Sequence, residues 1–359
     1  MPQLNKPCAH EAQPEAGHCA RVFRPSAFLI VAILTTGLFR TAGVMGAEAA
    51  ASQPGNDRPA TIPAWVFPLN PTALGVPAEY DRIKPLRVPH STITFTEAQL
   101  RDLFAAPDWH PESHSAMPEV VARGRAPDVY ACGYCHTPAG HGRPENASLA
   151  GLPAAYIVQQ LEDFKSGVRR SAWPGQYRPT DLMIHVAQHA TEDEVAAAAL
   201  YFSRQKPKSH VSVIERERVP RAAVVGFVYA AIRGASEEPL GARLLEFAPD
   251  PIRHENRDED MQYVAYAPIG SLSRGMSISS GGADGLTVGC VTCHGVNLQG
   301  VGLVPRLAGR SPSYLLRQLL AFKTGARSGR AAQPMVPVVA KLEITHMIDV
   351  AAYAASLPP

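Results

Sequence analysis

A mainly α-helical protein built from two small domains in tandem is what this 359-residue sequence predicts. Three observations lead there: a five-residue motif occurs twice, the residues after each copy repeat without a gap, and each repeat reads as a series of capped helices. The motif is Cys-x-x-Cys-His, at Cys132, Cys135 and His136 and again at Cys290, Cys293 and His294. Overlaying Cys132–Arg169 on Cys290–Arg327 gives identities at Gly142/Gly300, Leu149-Ala150-Gly151/Leu307-Ala308-Gly309, Tyr156/Tyr314, Gln160/Gln318, Leu161/Leu319, Phe164-Lys165/Phe322-Lys323, Gly167/Gly325 and Arg169/Arg327. The repeat unit is one domain.

From the N-terminus, residues 1–49 read as a leader. Arg21 and Arg24 precede an apolar run from Ala27 to Phe39, and small residues around Ala47-Glu48-Ala49 offer a cleavage site. That run is shorter than the roughly 20 residues needed to span a bilayer, so an uncleaved anchor is the weaker alternative. Residues 50–117 begin with eight prolines before position 91, which predicts an extended arm over the surface or a partly disordered linker. Thr96-x-x-Gln99 then starts a short helix through about Ala105, and Asp108-Trp109-His110-Pro111 makes a turn. The first repeat occupies 118–204. In it Pro153 and Gly167 bracket one helix, and Thr191-x-x-Glu194 is a capping box before an alanine-rich helix ending near Ser203. Residues 205–267 form an inter-domain insert with β-prone pieces at Val211 to Ile214, Val224 to Tyr229 and Gln262 to Tyr266. Its charge run from Arg253 to Asp260 reads as a solvated loop, and histidines 110, 114, 141, 210 and 254 read as surface residues. The second repeat, 268–359, has Ser311 capping a helix with Pro312 at its first position and a stop at Gly325, then a last helix from Glu343 to Ser356.

CxxCH is the attachment signature of a c-type haem. Two thiols three apart each add to a vinyl group, and the next histidine is held beneath the iron. Two copies imply two covalently bound haems c with His136 and His294 as proximal ligands. Four of the six cysteines are thereby consumed, and Cys8 and Cys19 fall in the leader. Aligning backward from the last helix of each repeat sets Met183 opposite Met335 as the sixth ligands. A thioether is soft and uncharged and favours ferrous iron, which suits a carrier. His185 and His189 follow Met183 closely and compete with it for that role.

On CxxCH, the LAG triplet, the Y-x-x-x-Q-L-x-x-F-K-x-G pattern and a downstream methionine, each repeat resembles a class I cytochrome c domain. The tandem resembles the dihaem cytochromes c of the c4 type. That resemblance implies a proline carbonyl bonded to each proximal histidine. Pro305 fills the place in the second repeat, whereas the first has Ala147, whose carbonyl can serve without proline's fixed φ. It also implies that Tyr156, Gln160 and Arg169, with Tyr314, Gln318 and Arg327, lie near haem propionates, and that the stripe of Tyr156, Gln160 and Phe164 is pocket wall.

Beyond residue 49 the 30 basic and 29 acidic residues leave a net charge of about +1, with no nucleic-acid footprint and no dominant docking field. Haem attachment outside the cytoplasmic membrane makes the expected compartment the periplasm, with membrane association only through a retained leader or a partner. The expected function is single-electron transfer between a dehydrogenase or quinol oxidiser and a terminal acceptor such as an oxidase. The alternatives are a dihaem peroxidase-like or other haem oxidoreductase, and a permanent cytochrome subunit of a dehydrogenase. A thiosulfate dehydrogenase with a cysteine-ligated haem is disfavoured because no cysteine is left over. Intact mass of the processed protein is expected to exceed that of its chain by two haems, and thiol labelling after denaturation is expected to modify nothing. A labelled cysteine in fully loaded protein contradicts the assignment.

Overall fold

The structure, a computed structural model, describes residues 62–70 and 84–359. The expected leader with Cys8 and Cys19, and much of the Pro-rich arm, lie outside the described residues. Among the described residues no helix is long and apolar enough to cross a membrane. The described piece of the arm does not lie over the surface. A 3-10 turn at Ala64–Val66 delivers Val66 and Phe67 into the core, where Phe67 meets Tyr177 edge-on at 5.1 Å.

A short hairpin of β1 (Pro85–Leu86) and β2 (Phe95–Thr96) leads into α1 (Glu97–Leu100). The Thr96/Gln99 capping box forms, but the helix stops at Leu100 rather than near Ala105. The Asp102 carboxylate accepts from the Phe104 amide at 2.9 Å, a local turn that competes with the helix. The first domain then runs through α2 (Glu119–Ala122), α3 (Cys132–His136), α4 (Ala154–Lys165), α5 (Arg178–His189) and α6 (Glu192–Ser203). The Thr191/Glu194 capping box opens α6, and its buried Ala198, Ala199, Tyr201 and Phe202 pack with Leu152, Ile157 and Val121.

Strands β3 (Val211–Glu215), β4 (Arg218–Pro220), β5 (Ala222–Val225), β6 (Val228–Ala231), β7 (Glu237–Pro239) and β8 (Leu245–Phe247) follow, then α7 (Pro251–Glu255) and β9 (Tyr263–Ala267). Five of these strands form one mixed sheet in the order β3-β9-β8-β6-β5, and β4 pairs with β7. The second domain comprises α8 (Ser271–Gly285), α9 (Val291–His294), α10 (Pro312–Lys323), α11 (Met335–Ala340) and α12 (Ile344–Ser356). Ser311 caps α10 through the Tyr314 amide, with Pro312 at the first position. Helix α12 crosses α8 at Gly275, where a Cβ would stand 2.1 Å from the Asp349 carbonyl, so only glycine permits the approach. Arg274 clamps the same crossing through two hydrogen bonds to Asp349, 2.8 and 3.0 Å. The whole is mainly α.

The charge run at 253–260 is not a solvated loop. Asp250 caps α7 through the amides of Ile252 and Arg253, and His254, Asn256, Asp258 and Glu259 are buried. This segment lies on the first domain: Arg257 stacks over Tyr134 and donates to its carbonyl at 2.9 Å, and Glu259 accepts from the Ala139 amide at 3.0 Å. Each buried charge has a partner, which is the condition for burying it. The surface assignment of the histidines is overturned by the same packing. His110, His210 and His254 are buried, the His114 ring is covered, and His141 stands half-buried with its ring 4.5 Å from that of His210.

Burial holds His210 down at about 3 and His141 at about 4, Lys208 adding to both, so both rings are neutral at neutral pH. The ordinary value is 6.5, so acid protonates them in the unfolded chain first. Their contribution to stability is therefore complete above about pH 6.5 and lost as pH falls toward 4 and 3. Unfolding free energies from urea titrations across this range are expected to drop further in the wild type than in His210→Gln, by on the order of a few kcal/mol at the acid end. Parallel profiles would exclude the pair as a source of acid sensitivity.

Candidate functional site

Each CxxCH forms a short helix, α3 or α9, that ends in a left-handed residue, Thr137 at φ 63° or Gly295 at φ 82°. The chain doubles back so that the His136 carbonyl accepts from Gly142 at 2.9 Å and the His294 carbonyl from Gly300 at 2.8 Å. Gly142 has φ 72°, and a Cβ on it would lie 2.6 Å from the Ala147 carbonyl. That carbonyl stands 2.8 Å from His136 Nδ1, and the Pro305 carbonyl stands 2.7 Å from His294 Nδ1. A carbonyl only accepts, so both Nδ1 atoms carry the proton and Nε2 is left to ligate a metal. Burial pushes both imidazoles below their ordinary pKa, and Arg310 adds to the effect. The proximal bond therefore survives in the first domain without proline.

A cleft of about 1180 Å³, open mouth included, is lined by Cys132, Cys135, His136, Tyr156, Gln160, Phe164 and Arg169. Helix α5 contributes Leu182, Met183 and Val186 to the same wall. His185 and His189 are not part of that lining; His185 Nε2 lies 3.3 Å from Asp128 Oδ1 and its ring stacks on Tyr130. The repeat does not foresee α5 as a full helix, because its counterpart α11 is half as long. Met335 is the first residue of α11, half-buried against the core that Cys290, Leu307 and Leu319 also border.

The two triads nominated by the repeat meet each other. Arg169 donates to Gln160 (2.8 Å), Tyr314 (3.1 Å) and Gln318 (3.1 Å), and Arg327 donates to Gln318 (3.1 Å), Tyr156 (3.0 Å) and Gln160 (2.6 Å). The backbone is reciprocal too: Arg170 N–H reaches Ala326 O at 2.7 Å, and Ser328 N–H reaches Val168 O at 2.8 Å. Burial and the facing Arg327 together push Arg169 below its ordinary value. Burial alone would raise the Tyr314 hydroxyl, but Arg169, Arg310 and Arg327 pull it down to about 8.

Three further buried arginines escaped sequence reasoning. Arg310 lines the first domain's cleft from the second domain and donates to Ser148 O at 3.0 Å. Arg317 donates to the Pro144 carbonyl, and burial with Arg310 beside it brings Arg306 down to about 9. The overlay puts Ser148, Leu152 and Gln159 opposite these three, so the repeat carries no signal for them. Among the described residues the Nε atoms of Arg306, Arg310 and Arg327 have no hydrogen-bond partner. Of these, Arg310 lines the cleft, and a buried guanidinium with a spare donor there calls for an anion such as a haem propionate. With the CxxCH thiols and the oriented histidines, the residues fit a covalently attached haem.

No family model matches the chain. The thiosulfate dehydrogenase electron acceptor of Stutzerimonas stutzeri (strain A1501) is 38% identical over 237 residues, 65% of this chain and 82% of that protein. The chain belongs to the dihaem class I cytochromes c of the c4 type. Cytochrome c4 of Azotobacter vinelandii is 25% identical over 249 residues, 68% of this chain and 91% of its own length. Among solved structures, thiosulfate dehydrogenase TsdBA from Marichromatium purpuratum in its as-isolated form aligns at 26% identity with a TM-score of 0.46. The alignment covers 67% of this chain and 39% of that one.

This c4-type cytochrome is an electron-transfer protein with covalently bound haem c. Arg327→Leu strands the Tyr156 hydroxyl at the domain boundary and removes one of the two donors to Gln160 and to Gln318, and is expected to cost about 1–3 kcal/mol in urea unfolding. Because Arg169 and Arg327 both donate to Gln160 and to Gln318, each single variant leaves both glutamine oxygens one donor, and the double variant Arg169→Leu/Arg327→Leu, which leaves them none, is expected to cost more than the sum of the singles. Strict additivity would show that the two do not act as one network.

Proposed function

We propose that this cytochrome is a periplasmic carrier of single electrons with two haems, one attached at Cys132/Cys135 and one at Cys290/Cys293. In this reading a cleavable leader over 1–49 directs export, the domains span 118–204 and 268–359, and residues 205–267 lie between them. His136 and Met183 hold the first iron, His294 and Met335 the second. The observation that carries the reading is the Tyr–Gln–Arg network, which joins the two sites in one buried, reciprocal interface. A bound haem c supplies a reversible one-electron change at its iron. The chain's residues do the rest: the Ala147 and Pro305 carbonyls fix the proximal imidazoles, and the arginines offer donors to propionates. Met183 on the wall of the His136 cleft supports thioether ligation there over ligation by His185 or His189.

Relatives named electron acceptors of thiosulfate dehydrogenase support a periplasmic dehydrogenase as donor. The second domain supports the docking side. Val296, Val301 and Leu303 around the exposed Cys293 are 82%, 60% and 65% exposed, whereas their overlay partners Pro138, Arg143 and Glu145 are buried beneath the 250–260 segment. An apolar rim beside a haem attachment suits brief contact with a redox protein.

A redox titration followed by the far-red methionine-to-ferric-iron band tests the ligation. Two equivalents of the band per chain are expected. Met335→His is expected to remove one equivalent and lower one potential, since imidazole stabilises ferric iron better than a thioether, and Met183→His to do the same at the other haem. If Met183→His leaves band and potentials intact, the first iron takes another ligand and peroxide reduction becomes the assay to run.

A further inference from the structure

Helix α5 carries two histidines one turn apart, His185 and His189, neither of which lines the cleft. Their rings lie 4.4 Å apart, and the Asp128 carboxylate approaches from the turn that precedes the first CxxCH. One ligand atom from each of the three residues lies within 4.8 Å of the others. An ion pair between His185 and Asp128 explains two of them but not why the third ring is laid against the first.

We propose that Asp128, His185 and His189 form a binding site for a divalent ion of the zinc type. The donor set fits: two neutral imidazoles and one carboxylate suit borderline divalent metals, and a zinc tetrahedron with bonds of about 2.0–2.2 Å separates its ligand atoms by about 3.4 Å. His185 Nε2 and Asp128 Oδ1 already stand 3.3 Å apart. The supporting shell is present as well. His189 Nδ1 lies 2.8 Å from the His185 carbonyl, which makes it the donor and leaves Nε2 for the ion. Tyr130 stacks on His185 with an interplanar angle of 28° and holds its ring. The Asp128 turn is closed by two backbone bonds between Arg125 and Val129, 2.7 and 2.9 Å. Arg125 in turn grips Glu194 and donates to the His189 carbonyl at 3.0 Å, tying turn and helix together.

A second carboxylate–histidine group, Asp108, His114 and Glu259, lacks this readiness. Glu259 accepts from Ser113 and from the Ala139 amide, and His114 Nδ1 lies against the Ser115 carbonyl and the Tyr201 hydroxyl. In the proposed site His189 is exposed while Asp128 and His185 are half-buried, so an ion can enter and keep a water ligand. An ion there fastens the helix bearing Met183 to the turn before Cys132, whichever residue ligates the first iron.

The test titrates zinc into chelator-treated holoprotein by calorimetry, with metal content read after gel filtration. One zinc per chain is expected, and His189→Ala and Asp128→Asn are each expected to weaken binding by about tenfold or more. Asp108→Asn, in the other group, is expected to leave it unchanged. Retention of full affinity in His185→Ala/His189→Ala, or no stoichiometric zinc in the wild type, overturns the site. The far-red band separates this from the ligation reading. His185→Ala is expected to lose zinc affinity and keep both equivalents of the band, whereas a variant that keeps its zinc affinity and changes the band would assign His185 to iron and sink the proposal.

Discussion

Two arginine side chains set face to face inside the protein are the constraint on which the arrangement rests. Arg169 and Arg327 are both buried, their backbones pair, and each guanidinium shares the same two glutamine carbonyls with the other. Two desolvated like charges are costly, and neutral acceptors offset only part of that cost. Arg310 and Arg306 add further buried cations close by. Such a concentration of buried positive charge calls for anions to complete it.

That constraint also explains which parts of the structure were legible in the sequence. The paired motifs, the oriented histidines and the Tyr–Gln–Arg residues occur twice, and duplication exposes whatever both copies need. Capping signals at Thr96, Thr191 and Ser311 were equally readable, because a cap is a contact within three residues. Arg306, Arg310 and Arg317 were not. They serve the boundary from one side only, so neither periodicity nor repetition marks them. The acidic and basic run at 253–260 misled for a related reason: its composition says solvent, and its burial depends on partners more than a hundred residues away, such as Tyr134 and Ala139.

The same segment makes the two halves unequal. The His136 loop is roofed by α7 and the residues after it, with Arg143 held against His254 and Trp109 donating to the Asn256 carbonyl at 2.8 Å. The His294 loop carries valine and leucine at the matching positions and faces outward. What covers each loop differs, while the local geometry of CxxCH, Gly142/Gly300 and the acceptor carbonyl is the same.

The backbone ties at the boundary follow a two-fold rule: 170 binds 326 just as 328 binds 168, and these pairs are equivalent under the overlay. This is the pattern of an isologous dimer, in which one patch is complementary to itself. Here both patches belong to one polypeptide, so their association is intramolecular and does not weaken on dilution. A protein present at low copy number in a large compartment thus keeps its two halves assembled, where a pair of free subunits with the same contacts would come apart.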